Sequence, residues 1–325
     1  MSRLFGWFFR FLLLGLSLLP FSLLYFFSDR ITWLIYEKLG YRRKVVRANL
    51  EGCFPEKTSE ELSKIENKYY HSLVDIIFEC IKLFSLSDRQ IRERFIIENS
   101  SLLQELHAEG RSVFLLGSHQ FNWEWANHAL TLSTPHQLIG VYLPLNNQII
   151  DEMFYKLRSS RGQLLMGASQ FKKDFPQYQS QNPAQKTISV LMGDQNPGDP
   201  GKAFWVSFLG QESPFHGGLE RIARRQPVAV VLGEAIKTKR GYYRSQLHLI
   251  CKDSTQTQPG EITYQYAKLL EASIRRQPEN WVWSHRRWRH TRSENAPLLG
   301  PRVSLNPKTQ SLNSKMESLT PKMES

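Results

Sequence analysis

Apolar positions along the chain fall into three patterns. Residues 11–27 read FLLLGLSLLPFSLLYFF and carry no charge. The segment 60–84, EELSKIENKYYHSLVDIIFECIKLF, places apolar residues at 62, 65, 69, 73, 76, 77, 80, 81 and 84. That is a helical period, and it predicts one long amphipathic helix. Beyond residue 110, short apolar runs alternate with helical patterns. VFLLGS (113–118), QLIGVYL (137–143), TISVLMG (187–193) and PVAVVLGEAI (227–236) predict buried strands. The stretches 122–132, 147–159, 214–225 and 261–276 predict helices. YYRSQLHLI (242–250) alternates apolar with polar and predicts an antiparallel edge strand. Strand–helix alternation of this kind predicts an α/β fold: a mostly parallel central sheet flanked by helices.

The uncharged N-terminal run adds a membrane helix to that fold. Extended back to Leu4 it takes in Arg10 and reaches the length of a spanning helix, with a kink expected at Pro20. Arg3 precedes it, whereas Arg30, Lys38, Arg42, Arg43, Lys44 and Arg47 follow it. The excess of basic residues after the run places the body in the cytoplasm. A cleaved signal peptide is the poorer reading, because no small-x-small site precedes the body. A helix lying in the interface, with Trp7 and Arg10 at the headgroups, stands beside the spanning reading as an open alternative. Three segments result: an anchor over 1–29, a main domain over 30–293, and a polar tail over 294–325. KMES recurs in the tail at 315–318 and 322–325, and disorder is expected there.

Charge narrows the partners. Lys and Arg number 42 against 30 Asp and Glu, a formal net charge of +12. Phospholipid headgroups, nucleic acid or an acidic carrier protein all fit that excess. Neither an RNA-binding fingerprint nor zinc-finger spacing is present, so nucleic acid is not expected. Cys53, Cys80 and Cys251 are isolated and odd in number, which predicts packing residues in a reducing compartment.

The candidate chemistry sits in GSHQFNWEWANH, residues 117–128. His119 ends an apolar run that predicts a strand, and ligands bind at such ends in open α/β sheets. Glu124 follows five residues later. On one regular helix these two would point about 140° apart. A turn through Gln120 and Phe121, with Asn122 capping a new helix, would bring them together. The glutamate would then orient the imidazole, leaving its other nitrogen as a general base toward a hydroxyl. No Gly-x-Ser-x-Gly elbow supplies a nucleophile, so the hydroxyl is expected to belong to the substrate. His119, His128 and His136 have no ligand spacing, and no metal is expected.

Five stretches in order carry a resemblance. They are RANLEGCFPE (47–56), HQFNWE (119–124), LRSSRG (157–162), MGDQNPGDPGKAFWVSFLGQESPFHGGLERIARR (192–225) and ENWVWSHRRWRH (279–290). From about residue 30 to 290 the chain resembles the late acyltransferases of lipid A biosynthesis, the lauroyl and myristoyl transferases of the wider H-x4-D/E superfamily. The resemblance implies transfer of a fatty acyl chain from an acyl carrier protein thioester to a hydroxyl of an acylated, phosphorylated glucosamine disaccharide, without a cofactor. It makes His119 the base and Glu124 its partner. It places an arginine at the oxyanion, for which Arg158 and Arg161 both qualify. Asp194 is expected to position an arginine or the substrate, with Gln195 at the same sheet edge. Gly217 and Glu220 are expected to open a helix beside a phosphate or thioester. Arg286 and Arg287 are expected to pair with phosphates or with structural carboxylates. The location implied is the inner membrane, with a single N-terminal anchor and a cytoplasmic body. One departure is the Gly-Ser before His119, where asparagine is more usual in the family. A glycerophospholipid acyltransferase with the same chemistry and a non-catalytic membrane-anchored binding protein are the alternatives.

Overall fold

The computed structural model describes residues 3–144 and 147–300, with side chains from residue 10 onward. Both KMES segments, and the rest of the tail beyond residue 300, lie outside the described residues. The helices are α1 (Arg3–Leu18), α2 (Phe21–Trp33), α3 (Arg43–Cys53), α4 (Ser59–Lys82), α5 (Asp88–Arg94), α6 (Ser101–Ala108), α7 (Trp123–Thr131), α8 (Gln148–Ser159), α9 (Phe171–Gln181), α10 (Gly217–Ala223) and α11 (Glu261–Arg276). The strands are β1 (Phe95–Ile97), β2 (Val113–Gly117), β3 (Gln137–Tyr142), β4 (Leu164–Gly167), β5 (Thr187–Met192), β6 (Phe204–Phe208), β7 (Gln211–Phe215), β8 (Ala229–Lys239), β9 (Tyr242–Cys251) and β10 (Leu298–Leu299).

Seven strands form the main sheet, in the order β1-β9-β8-β2-β5-β3-β4. Every pair is parallel except β8 with β9. The long β8–β9 hairpin matches the alternating pattern at 242–250, yet β9 is not the edge. The three-residue β1, too short to show a period, covers it. Register fixes the site. Val113 lies opposite Ile188 and Gly117 opposite Met192. The residues two beyond each strand end, His119 and Asp194, therefore emerge side by side.

A second sheet holds β10, β6 and β7. It absorbs AFWVSFLG as core, since Trp205, Val206, Phe208 and Leu209 are buried. Leu298 and Leu299, in the stretch read from sequence as tail, pair in parallel with β6. The main core lies between one sheet face and the helices α3, α4 and α11. Helix α4 begins at a capping box: the Thr58 hydroxyl accepts the Glu61 N–H, and the Glu61 carboxylate accepts that of Thr58.

The N-terminal run is broken rather than kinked. Pro20 stands at the N-cap of α2, and the chain bends by 120° across the break. Proline cannot donate the bond that would carry α1 onward, but its fixed φ suits the start of a new helix. Among the described residues no single helix is long and apolar enough to cross a membrane. The inner face of α2 is tied to the body by polar groups. The Tyr25 hydroxyl donates to Glu79 (2.8 Å) and the Ser28 hydroxyl to Asp75 (2.7 Å). Arg240 bridges Asp29 and Asp75 at 2.7 and 2.6 Å. Lys82 donates to the carbonyls of Ser17 and Leu19 at the break. On the outer face Phe11, Leu18, Phe26, Phe27 and Trp33 are exposed.

Candidate active site

The turn after β2 follows from its residues. Phe121 takes a left-handed backbone (φ 55°), and its N–H donates to the carbonyl of Asn280. Asn122 then caps α7, its side-chain oxygen accepting the N–H of Trp125 at 3.0 Å. A turn of this kind was legible in HQFNWE. The partner of the histidine was not.

Nδ1 of His119 lies 2.7 Å from the carboxylate of Asp194, and the backbone N–H of His119 donates to the same carboxylate at 2.8 Å. The Trp281 indole adds a third bond at 2.9 Å. Asp194 is fully buried. Burial pushes its carboxyl up, but the His119 charge and the three hydrogen bonds outweigh it and hold the group below the usual aspartate range. For His119, burial pulls the imidazole down, and the charge and hydrogen bond of Asp194 lift it above its ordinary value. The pairing of His119 with Glu124 expected from sequence is thus not the one made; the carboxylate bonded to the histidine is Asp194. The physical reason is strand adjacency. Parallel β2 and β5 deliver His119 and Asp194 to one level, while α7 carries Glu124 to another side of the turn.

Glu124 is buried and binds Arg158. The guanidinium Nε reaches both carboxylate oxygens, at 3.2 and 3.0 Å, and Nη2 also bonds the first of them. Arg158 lies in the last turn of α8, and its side chain retains 22 % exposure toward the site. The Glu124 bonds offset its desolvation and raise its pKa above the ordinary arginine value. Arg161 is directed elsewhere. It bonds Asp88, the carbonyl of Leu86 and Nδ1 of buried His128. The structure therefore separates two arginines that the sequence left equivalent.

His119, Glu124, Arg158 and Gln195 share the wall of one cavity of about 780 Å³. No described residue bonds Nε2 of His119, and Trp123 stands edge-on to the ring at 5.4 Å. The cavity extends over both faces of the sheet. Leu115, Gly233 and Leu247 line one recess under α7, and Phe171, Leu191 and Leu219 line the other.

Gly217, Glu220, Arg286 and Arg287 lie outside the wall of this cavity. A Cβ on Gly217 would come within 2.7 Å of the carbonyl oxygen of Lys202, so tight packing accounts for the glycine. Glu220 accepts bonds from the N–H groups of Gly260 and Thr263 and from the Thr263 hydroxyl, which secures the start of α11. Burial pushes its carboxyl up. Arg287 is completely buried, donates to Asn196 and packs against the Phe215 ring; burial pulls its pKa down to about 10. Arg286 is exposed, and its carbonyl accepts from the Asn196 side chain. Asn196 thereby pins the MGDQNPG loop to HRRWRH. Sequence reading missed Trp281 as a donor to Asp194 and did not single out Glu79. An acidic residue on the apolar face of α4 was the available signal for Glu79. Among the described residues, no three His, Cys, Asp or Glu side chains gather as a metal site.

The family described as bacterial lipid A biosynthesis acyltransferase matches residues 1–290 of this chain. The chain belongs to that family. Among its relatives, the lipid A biosynthesis lauroyltransferase of Escherichia coli K12 is 26 % identical over 286 residues, 86 % of this chain and 89 % of that protein. The lipid A biosynthesis palmitoleoyltransferase of the same organism is 24 % identical over 273 residues, 83 % of this chain and 86 % of that protein. A Haemophilus influenzae lipid A biosynthesis acyltransferase reaches 30 % over 150 residues, 45 % of this chain and 47 % of that protein. As a member of the lipid A acyltransferases, the protein is an enzyme that acylates a lipid A precursor.

Proposed function

We propose that the protein moves a fatty acyl chain from an acyl carrier protein thioester to a hydroxyl of an acylated, phosphorylated glucosamine disaccharide. The observation that carries the chemistry is the His119–Asp194 bond of 2.7 Å at the wall of the large cavity, with Nε2 left for substrate. Asp194 fixes the Nδ1–H tautomer and supports the imidazolium. Nε2 removes the hydroxyl proton as the oxygen attacks the thioester carbonyl. The negative charge that develops on the carbonyl oxygen falls to Arg158, whose fork Glu124 holds rigid. Collapse breaks the C–S bond, and the departing thiolate takes the proton back from His119. One ester forms, one thioester is lost, and neither metal nor cofactor is required. The two apolar recesses suit the two hydrocarbon bodies of such a reaction, the donor chain and a chain of the acceptor.

Membrane seating completes the reading. Beside the exposed apolar faces of α1 and α2, Arg30 packs over the Phe26 ring and Lys38 over the Trp33 ring, an arrangement suited to burial among acyl tails with cations at anionic headgroups. The buried carboxylate contacts of α2 favour a pair of helices lying in the cytoplasmic leaflet of the inner membrane over one that crosses it.

The test is mass spectrometry of lipid A from cells with the gene disrupted, then complemented by wild type or by His119→Ala at matched membrane levels. Disruption should remove one acyl chain, wild type should restore it, and the variant should not. A shift confined to glycerophospholipid acyl composition would overturn the acceptor.

A further inference from the structure

A carboxylate that the chemistry does not use lies behind the catalytic turn. Glu79, on α4, is 1 % exposed and absent from the cavity wall. Burying such a group is costly, and an apolar residue would serve packing better unless the carboxylate is needed for its bonds. Three side-chain donors converge on it from three separate elements. Tyr25 of α2 donates to one oxygen at 2.8 Å. Tyr243 of β9 and the side-chain amide of Asn122 donate to the other, at 2.6 and 2.9 Å. The Trp125 indole adds a bond to the Glu79 main-chain carbonyl at 2.9 Å.

Asn122 makes this more than a structural staple. Its oxygen accepts the Trp125 N–H that starts α7, and its nitrogen is spent on Glu79, so both ends of the amide are fixed. It stands three residues after His119 and two before Glu124. The turn is thus gripped from the sheet side by Asp194 and from the helix side by Glu79. We infer that Glu79 is a positioning residue, which passes the seating of the membrane-side helix α2 through Tyr25 to the turn bearing His119 and Glu124.

The experiment compares full-length wild type, Tyr25→Phe, Glu79→Gln and the double variant. Tyr25→Phe deletes one hydroxyl and keeps the ring that packs near Phe21 and under Arg240. Glu79→Gln replaces one acceptor by a donor among three donors. The first readout is hydrogen exchange at residues 119–125, where the N–H groups of His119, Phe121 and Trp125 are all bonded. Each single variant should speed exchange there by more than any shift in its global melting temperature accounts for. The double variant should be no faster than Glu79→Gln, because both act along one path. The second readout, which rests on the function proposed above, is turnover of acyl carrier protein thioester with a lipid A precursor. There kcat should fall roughly ten- to a hundredfold with KM for the thioester little changed. Unaltered exchange at 119–125, or acceleration spread evenly over the protein, overturns the inference. Absence of turnover by wild type would sink the proposed reaction alone, since exchange still decides the role of Glu79.

Discussion

Asp194 accepts three hydrogen bonds, two from His119 and one from Trp281, and touches no solvent, so its charge is held directly against the imidazole. The signs then separate stability from activity. His119 is raised by the pair, so its contribution to stability is complete below about pH 6.5, the unfolded value, and is lost as pH rises through the higher folded value. Asp194 is lowered, so its contribution is complete above about pH 3.9 and is lost as pH falls through the lower folded value. To act as the general base proposed above, His119 must be neutral. Catalysis therefore grows through the range in which the pair weakens. In a pH profile of kcat/KM, the acid limb should have its midpoint above about 6.5. Asp194→Asn should move that midpoint down, because burial alone then acts on the ring, and should cut the plateau by roughly 10²- to 10⁴-fold. Glu124→Gln should lower kcat through Arg158 and leave the midpoint in place. A midpoint that follows Glu124 instead would reassign the orienting carboxylate. Sequence spacing made Glu124 the natural choice, because a neighbour five residues away is visible on the page. A partner 75 residues away is reachable only through strand order.

Elements were legible in proportion to the length and regularity of their patterns. Helix α4, which holds eight of the nine apolar positions in its segment, and the buried strands β2, β3, β5 and β8 fall where their patterns placed them. The short strands β1 and β4 carry no periodic signal, and their pairing is supplied by neighbours. The N-terminal run failed differently. Hydropathy alone could not show that Tyr25, Ser28 and Asp29 meet partners in the body, because those partners are on α4 and beyond β8. That gives a prediction for truncations. Removing residues 1–13 takes away apolar surface but none of the bonds around Asp75, Glu79 and Lys82. The melting temperature should hold while sedimentation with anionic vesicles weakens. Removing residues 1–33 strips partners from two buried carboxylates. It should cost about 3–5 kcal/mol, several degrees of melting temperature by circular dichroism. Equal stability of the two truncations would mean that α2 is only a membrane attachment.

Across the whole molecule, the site is a product of chain ordering. His119 closes β2 and Asp194 follows β5. The chain between them first lays down α7, β3, α8, β4 and α9, and β3 and β4 join the far side of β5. Glu124 and Arg158 belong to that excursion, so one loop of chain supplies the arginine pair and its two ends supply the histidine pair. The consequence concerns the order of events in folding. Helices form locally and fast, whereas a parallel pairing across 75 residues must first close a long loop. His119 and Asp194 come together only when β2 and β5 do. In refolding from denaturant, recovery of acyl transfer should therefore trail recovery of the far-ultraviolet helix signal, and the lag should match the rate at which the Trp281 indole is buried. Catalytic competence would then be among the last properties this chain acquires, and its return would mark the closing of the sheet.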